Sequence, residues 1–180
     1  WSSGRASASG STGRPLDSGR RRGALQSPPM SKTFDTLAEL AACVGQEVAV
    51  TDWFTVTQQH IDQFAAATGD HQWIHVDPER AKAGPFGATI AHGYLTLSML
   101  AGFLGGVVQV RDVRMGVNYG LNKVRFMAPV PVGSRLRARQ TLLGAQPLEG
   151  GMQLAWRTTV EREGADKPVC VAEPLAQYFI

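Results

Sequence analysis

The 180 residues are 43% hydrophobic and 18% charged, the balance of an ordinary globular chain able to bury a core, of one domain or one domain plus a tail. The net charge of +3 invites a nucleic-acid partner, but residues 1–29 hold five arginines against Asp17 alone, a balance of +4 that leaves −1 for residues 30–180. The basic character belongs to the tail, which argues against nucleic acid, and no uninterrupted apolar run has membrane length.

Residues 1–29 are rich in Gly, Ser, Pro and Arg and poor in core-forming side chains, so they are expected to be disordered. They read as a non-native extension before a start at Met30, as an Arg- and Ser-rich targeting segment, or as a basic arm. A domain is expected over residues 30–180. Phe34, Leu37, Leu40, Ala41 and Val44 recur at helical spacing, with Asp35 or Thr36 as cap. Glu47 to Phe54 reads as a strand. Thr57 caps a helix from Gln58 to about Ala67, whose Ile61, Phe64 and Ala65 form the apolar face.

That helix delivers the chain to Gly69-Asp70-His71-Gln72-Trp73-Ile74-His75. Glycine reaches positive φ cheaply and aspartate bonds its own backbone, so a sharp bend is expected here. Such a bend can aim Asp70 and His75 into one cavity, where a carboxylate and a neutral imidazole can share a water for proton chemistry near neutral pH. The same residues also serve elsewhere as turn former and core histidine. Asp77-Pro78-Glu79 starts another short helix, broken by Gly84-Pro85-Phe86-Gly87. His92-Gly93 then opens a helix reaching Leu104 with apolar or small residues on every face, the pattern of an element wrapped on nearly all sides.

The wrapping is expected from the C-terminal half. Met115, Val117, Tyr119 and Leu121 alternate, and Val124 and Phe126 resume after a shift of phase. Residues 134–143, 152–162 and 168–180 are further strands, with Pro174 marking an edge or a bulge. The whole is an α+β domain, an antiparallel sheet curled around one central buried helix. Cys43 and Cys170 show neither framework nor metal spacing, which suits a reducing compartment, the cytoplasm. His71 and His75 are spaced as i, i+4 ligands, but Gly69 and Pro78 leave little room for the helix a zinc site would need.

FAAATGDHQWIHVDPERA at Phe64 to Ala81, IAHGYLTLSML at Ile90 to Leu100 and NYGLNKVRFMAPVPVGSRLRA at Asn118 to Ala138 resemble the MaoC-like dehydratases of the hot-dog fold, the (R)-specific enoyl-thioester hydratases. The likeness is nearest to the actinobacterial 3-hydroxyacyl-thioester dehydratases and nodulation-protein N-like sequences. It runs from about residue 32 to the C-terminus and includes the family's Gly-Asp with a His five positions on. Gln72-Trp73 stands where many relatives have Asn-Pro, a departure that bears on loop geometry and acyl-pocket shape.

The resemblance implies reversible hydration of a trans-2-enoyl thioester to the (R)-3-hydroxyacyl thioester, with Asp70 and His75 as catalytic residues. The Gly93 amide would receive the charge on the thioester oxygen, a contribution of roughly 3 kcal/mol, and Ser98 would orient Asp70. Neither metal nor cofactor is implied; coenzyme A or acyl-carrier protein is the substrate carrier. Trp73, His92 and Tyr94, with the cations Arg80, Lys123 and Arg125, are candidate substrate contacts, and Lys82, Arg135, Arg137 and Arg139 are further candidates for the carrier's phosphates. A homodimer or larger assembly of dimers is expected. An acyl-thioesterase on the same fold and a non-catalytic acyl-thioester-binding subunit are the competing readings.

Overall fold

The computed structural model describes residues 28–180. The expected disordered arm, residues 1–29, therefore lies outside the described residues but for its last two.

Residues Leu37–Ala41 form α1, capped by Thr36, whose hydroxyl accepts the Glu39 N–H. Phe34 lies outside that helix. It ends a short strand, β1 (Lys32–Phe34), which pairs in parallel with β4 (Val108–Val110), a contact between segments far apart in the chain that local periodicity does not reveal. The expected strand from Glu47 to Phe54 is two pieces, β2 (Glu47–Val50) and β3 (Phe54–Thr55), both paired antiparallel to β6 (Arg135–Leu148). Between them the Thr51 hydroxyl leaves the ladder to bond the Asp52 carbonyl and accept the Ala138 N–H.

Helix α2 (Gln58–Thr68) starts at Thr57 as expected, and His60 completes a reciprocal cap by accepting the Thr57 N–H at Nδ1. It stops at Gly69, whose φ of +78° costs an L-residue dearly. Two short helices follow, α3 (Trp73–Val76) and α4 (Pro78–Lys82), the latter capped by Asp77.

The central helix is two segments, α5 (Gly93–Ser98) and α6 (Leu100–Gly105), separated at Met99. The axis carries through: Met99 N–H reaches Leu95 O at 3.1 Å and Phe103 N–H reaches Met99 O at 3.0 Å. The expectation that this helix is covered all round needs correction. Leu95, Leu100 and Phe103 are buried against the sheet, but Tyr94, Ser98, Ala101, Gly102 and Gly105 form an exposed side, because no element among the described residues crosses it.

Four long strands complete the sheet, β5 (Met115–Phe126), β6 (Arg135–Leu148), β7 (Gly151–Arg162) and β8 (Cys170–Phe179), in the order β2-β6-β7-β8-β5 and antiparallel throughout. β6 runs beyond its expected end at Leu143 and takes in Gly144, with a register shift between Leu142 and Gly144. The phase shift expected near Val124 is a register break between Leu121 and Val124. Pro174 sits opposite Leu121 beside that break, in an interior strand, so the bulge accommodates it and the edge position does not apply. Sheet and helix share two core clusters. One joins Ile61, Leu95, Leu100 and Phe103 to Leu136, Val160 and Ala172; the other gathers Leu40, Val48, Leu142 and Leu154 around Trp156. Cys170 is buried in the first, which pushes its thiol up to about 11, while Cys43 is only half-buried. No described helix is long and apolar enough to cross a membrane.

Candidate active site

Asp70 leaves α2 immediately after the left-handed Gly69, and His75 returns from α3 five residues later. The bend brings them together. Asp70, His75 and His92 each offer an atom, a carboxylate oxygen or a ring nitrogen, within 4.8 Å of the others. Asp70 keeps its side chain 55% exposed, and its Oδ1 accepts the Gln72 N–H only at 3.4 Å.

His75 is buried, with Nδ1 2.7 Å from the carbonyl oxygen of Ile90. A carbonyl only accepts, so Nδ1 carries the proton and Nε2 is left with a lone pair, the form of a base. Burial holds the imidazole below its ordinary value of 6.5, and His92 adds to this; the Ile90 carbonyl and Asp70 oppose it.

His92 stacks on His75 with ring centroids 3.7 Å apart and meets the Phe64 ring at 5.1 Å. Its Nε2 lies 2.9 Å from the backbone oxygen of Asp70 and 3.9 Å from Oδ2. The His92 Nε2 faces a carbonyl oxygen, which only accepts, so that nitrogen carries a proton and offers no lone pair to a metal. His71, weighed as a zinc ligand with His75, is exposed and outside the cluster.

A cavity of about 380 Å³ opens on His75 and Gly93, walled by Phe86, Ile90, Thr96, Phe126, Met127 and Val169 among others. The Gly93 N–H, first in α5, meets no acceptor among the described residues. The Phe126 ring lies so close that a Cβ on Gly93 would sit 3.0 Å from it. A side chain there would have to push that ring aside by a few tenths of an ångström.

Several expected contacts fall elsewhere. The Ser98 hydroxyl donates to Tyr94 O at 2.7 Å on the exposed side of its own helix, so it does not orient Asp70; a hydroxyl one turn back along a helix bonds the i−4 carbonyl by default. Of the six candidate substrate contacts, none lines the cavity. Trp73 packs against Gly84 and carries the Arg80 guanidinium over its ring at 4.5 Å. Tyr94 is exposed and meets Phe126 edge-on, His92 is buried behind His75, and Lys123 and Arg125 lie exposed on β5. Arg135, Arg137 and Arg139 pair with Glu163, Glu161 and Glu47, which engages them within the sheet surface. One residue escaped sequence reasoning: Gln58, whose amide donates to His75 O at 2.8 Å and accepts the Thr89 hydroxyl at 2.5 Å. Nothing at the start of an amphipathic helix marks such a side chain as a tie to a distant histidine.

Residues 39–163 match the family model described as MaoC like domain. The 3-hydroxyacyl-thioester dehydratase Z of Mycobacterium tuberculosis is 55% identical over 148 residues, covering 82% of this chain and 98% of that protein. Nodulation protein N of Rhizobium leguminosarum bv. viciae is 47% identical over 140 residues, 76% of this chain and 87% of its own. Among solved structures, an unliganded R-hydratase from Pseudomonas aeruginosa superposes with a TM-score of 0.63 at 25% identity, over 81% of this chain and 86% of that one.

Proposed function

The chain belongs to the MaoC-like domain family, and from that membership we propose that it is a hydro-lyase adding water reversibly to trans-2-enoyl thioesters, giving (R)-3-hydroxyacyl thioesters. One observation carries the reading: a base-form imidazole and a carboxylate meet beside an apolar cavity on which an unpaired amide also opens. A water held between Asp70 and His75 Nε2 loses a proton as its oxygen attacks C3, and C2 takes up a proton from the same pair. Charge gathers meanwhile on the thioester oxygen, where the Gly93 N–H donates to it. These steps need neither metal nor cofactor. The apolar walls suit an acyl chain, and of the candidate cations Arg80, Lys82, Lys123 and Arg125 are left to meet the phosphates of coenzyme A or an acyl-carrier protein in the cytoplasm.

Crotonyl-coenzyme A tests this directly. Loss of enoyl absorbance without free thiol is the expected result. Thiol release would mean a thioesterase, and tight binding with no turnover, unchanged by Asp70→Asn, a binding subunit.

The working form is a homodimer. Among the described residues β5 pairs with β8 on one side only, and this twelve-residue edge exposes Met115, Val117, Tyr119, Leu121 and Phe126, with Met127 next to it. An open apolar edge of that length is a template for strand pairing, and a two-fold axis lets β5 of a second copy satisfy it. Tyr94 lies against Phe126, so the open side of the helix continues the patch. Gel filtration should give the mass of two chains, and Leu121→Arg should shift it to one; wild-type protein eluting as one chain contradicts the dimer.

A further inference from the structure

Ile90 to Gly93 is four residues of chain, and it touches every group the proposed chemistry uses. The Ile90 carbonyl fixes His75, the His92 ring reaches back to Asp70, and Gly93 presents its amide. The sequence places His92 among candidate substrate contacts; its side chain is only 3% exposed and packs against two other rings. We propose that His92, as the neutral Nε2–H tautomer, is a positioning residue that clamps the Asp70 loop to the first turn of α5 and so fixes the carboxylate relative to His75 and the Gly93 amide. The inference rests on the hydratase reading above.

The tautomer follows from the partner. The Asp70 backbone oxygen only accepts, so Nε2 carries the proton. Nδ1 is then a lone pair, buried and without a hydrogen-bond partner. The His75 ring stacks on that of His92 with centroids 3.7 Å apart. The other titratable group facing it is the Asp70 carboxylate, and Oδ2 at 3.9 Å is too far to be bonded by Nε2. That oxygen remains available to water.

Asp70 has little else to hold it. Gly69 turns the chain out of α2, the side chain is more than half exposed, and its contact to Gln72 N–H is long. The buried tether of the loop is the backbone bond to His92. Reacting groups displaced by an ångström can lose about a hundredfold in rate, so this bond bears on turnover.

Two polar substitutions of different reach separate the roles. His92→Gln can set an amide nitrogen where Nε2 stood; His92→Asn is too short to reach. In crotonyl-coenzyme A hydration, kcat of the Gln variant should stay within about tenfold of wild type and that of the Asn variant should fall about a hundredfold, with KM moving less than about threefold in both. Equal losses in the two variants, or a loss carried by KM, overturn the proposal. Two controls separate the ways of failing: no enoyl loss, or thiol release, with wild-type protein defeats the hydratase reading itself, whereas a hydrating wild type and an inactive Asp70→Asn with an unsplit His92 pair defeat only the clamp. Imidazole ¹⁵N–¹H spectra of wild-type protein at neutral pH supply a readout independent of how the variants fold. Nε2–H is expected for His92 and Nδ1–H for His75; the opposite tautomer or a charged ring at His92 overturns the assignment.

Discussion

Replacing Asp70 with asparagine should lower kcat for crotonyl-coenzyme A hydration by about a hundred- to ten-thousand-fold while the protein stays folded. The substitution keeps the size of the side chain and removes its basicity. The fold has little stake in the charge: the carboxylate is 55% exposed, its one side-chain bond is the 3.4 Å contact to Gln72 N–H, and the tie to His92 runs through the backbone. An asparagine Oδ1 can accept the same N–H. Stability should therefore move by no more than about 0.5 kcal/mol, as for other surface changes. Turnover measured beside a thermal melt checks both halves, and a variant retaining a tenth or more of wild-type kcat, by the range just given, contradicts the assigned role.

His75→Ala should lose turnover over a similar range, about a hundred- to ten-thousand-fold, and unlike the change at Asp70 it should also destabilise. The buried Ile90 carbonyl would lose its 2.7 Å donor, which costs about 1–3 kcal/mol. The wild-type pH dependence has a defined sign. Burial first, then His92, keeps the folded His75 below its ordinary 6.5, so Nε2 is a free base at neutral pH and the rate falls only as pH drops through that lowered value. An unfolded His75 takes its proton nearer 6.5, so in the window beneath that value the unfolded state binds more protons. The stability contribution is whole above 6.5 and is lost as pH falls through the folded pKa. Rate and melting temperature should thus decline together on the acid side, and the variant's melting curve should be flatter there. An acid limb of kcat/KM at or above 6.5 contradicts this account of the site.

Much of this chain was legible because the physics is local. Thr57 as cap, Gly69 as the left-handed stop and Asp77-Pro78 as a helix start are satisfied by neighbours a few residues away, and such pairings can be read directly. The slip before Val124 and the oddity of Pro174 are one feature seen from two strands, a bulge on β5 that faces the proline. The spacing of Asp70 and His75 around a bend likewise announces that the two side chains converge, and their polar atoms lie within 4.8 Å.

The sequence by itself determined the starts of α2 and α4, the succession of long strands along the chain and the spacing of Asp70 and His75; tertiary structure alone decided what holds those two side chains together. His75 owes its tautomer to a carbonyl 15 residues on, Asp70 its tether to a ring 22 residues on, and β1 its partner to a strand after the central helix. A main-chain oxygen carries no residue identity, so which one faces an imidazole cannot be spelled in side chains. For the same reason Ser98, well placed along the helix, turned to Tyr94, and His92, expected at the substrate, went behind His75. Short-range geometry is encoded residue by residue, whereas long-range partners are chosen only once the sheet and helix have packed and burial has made an unmet donor costly.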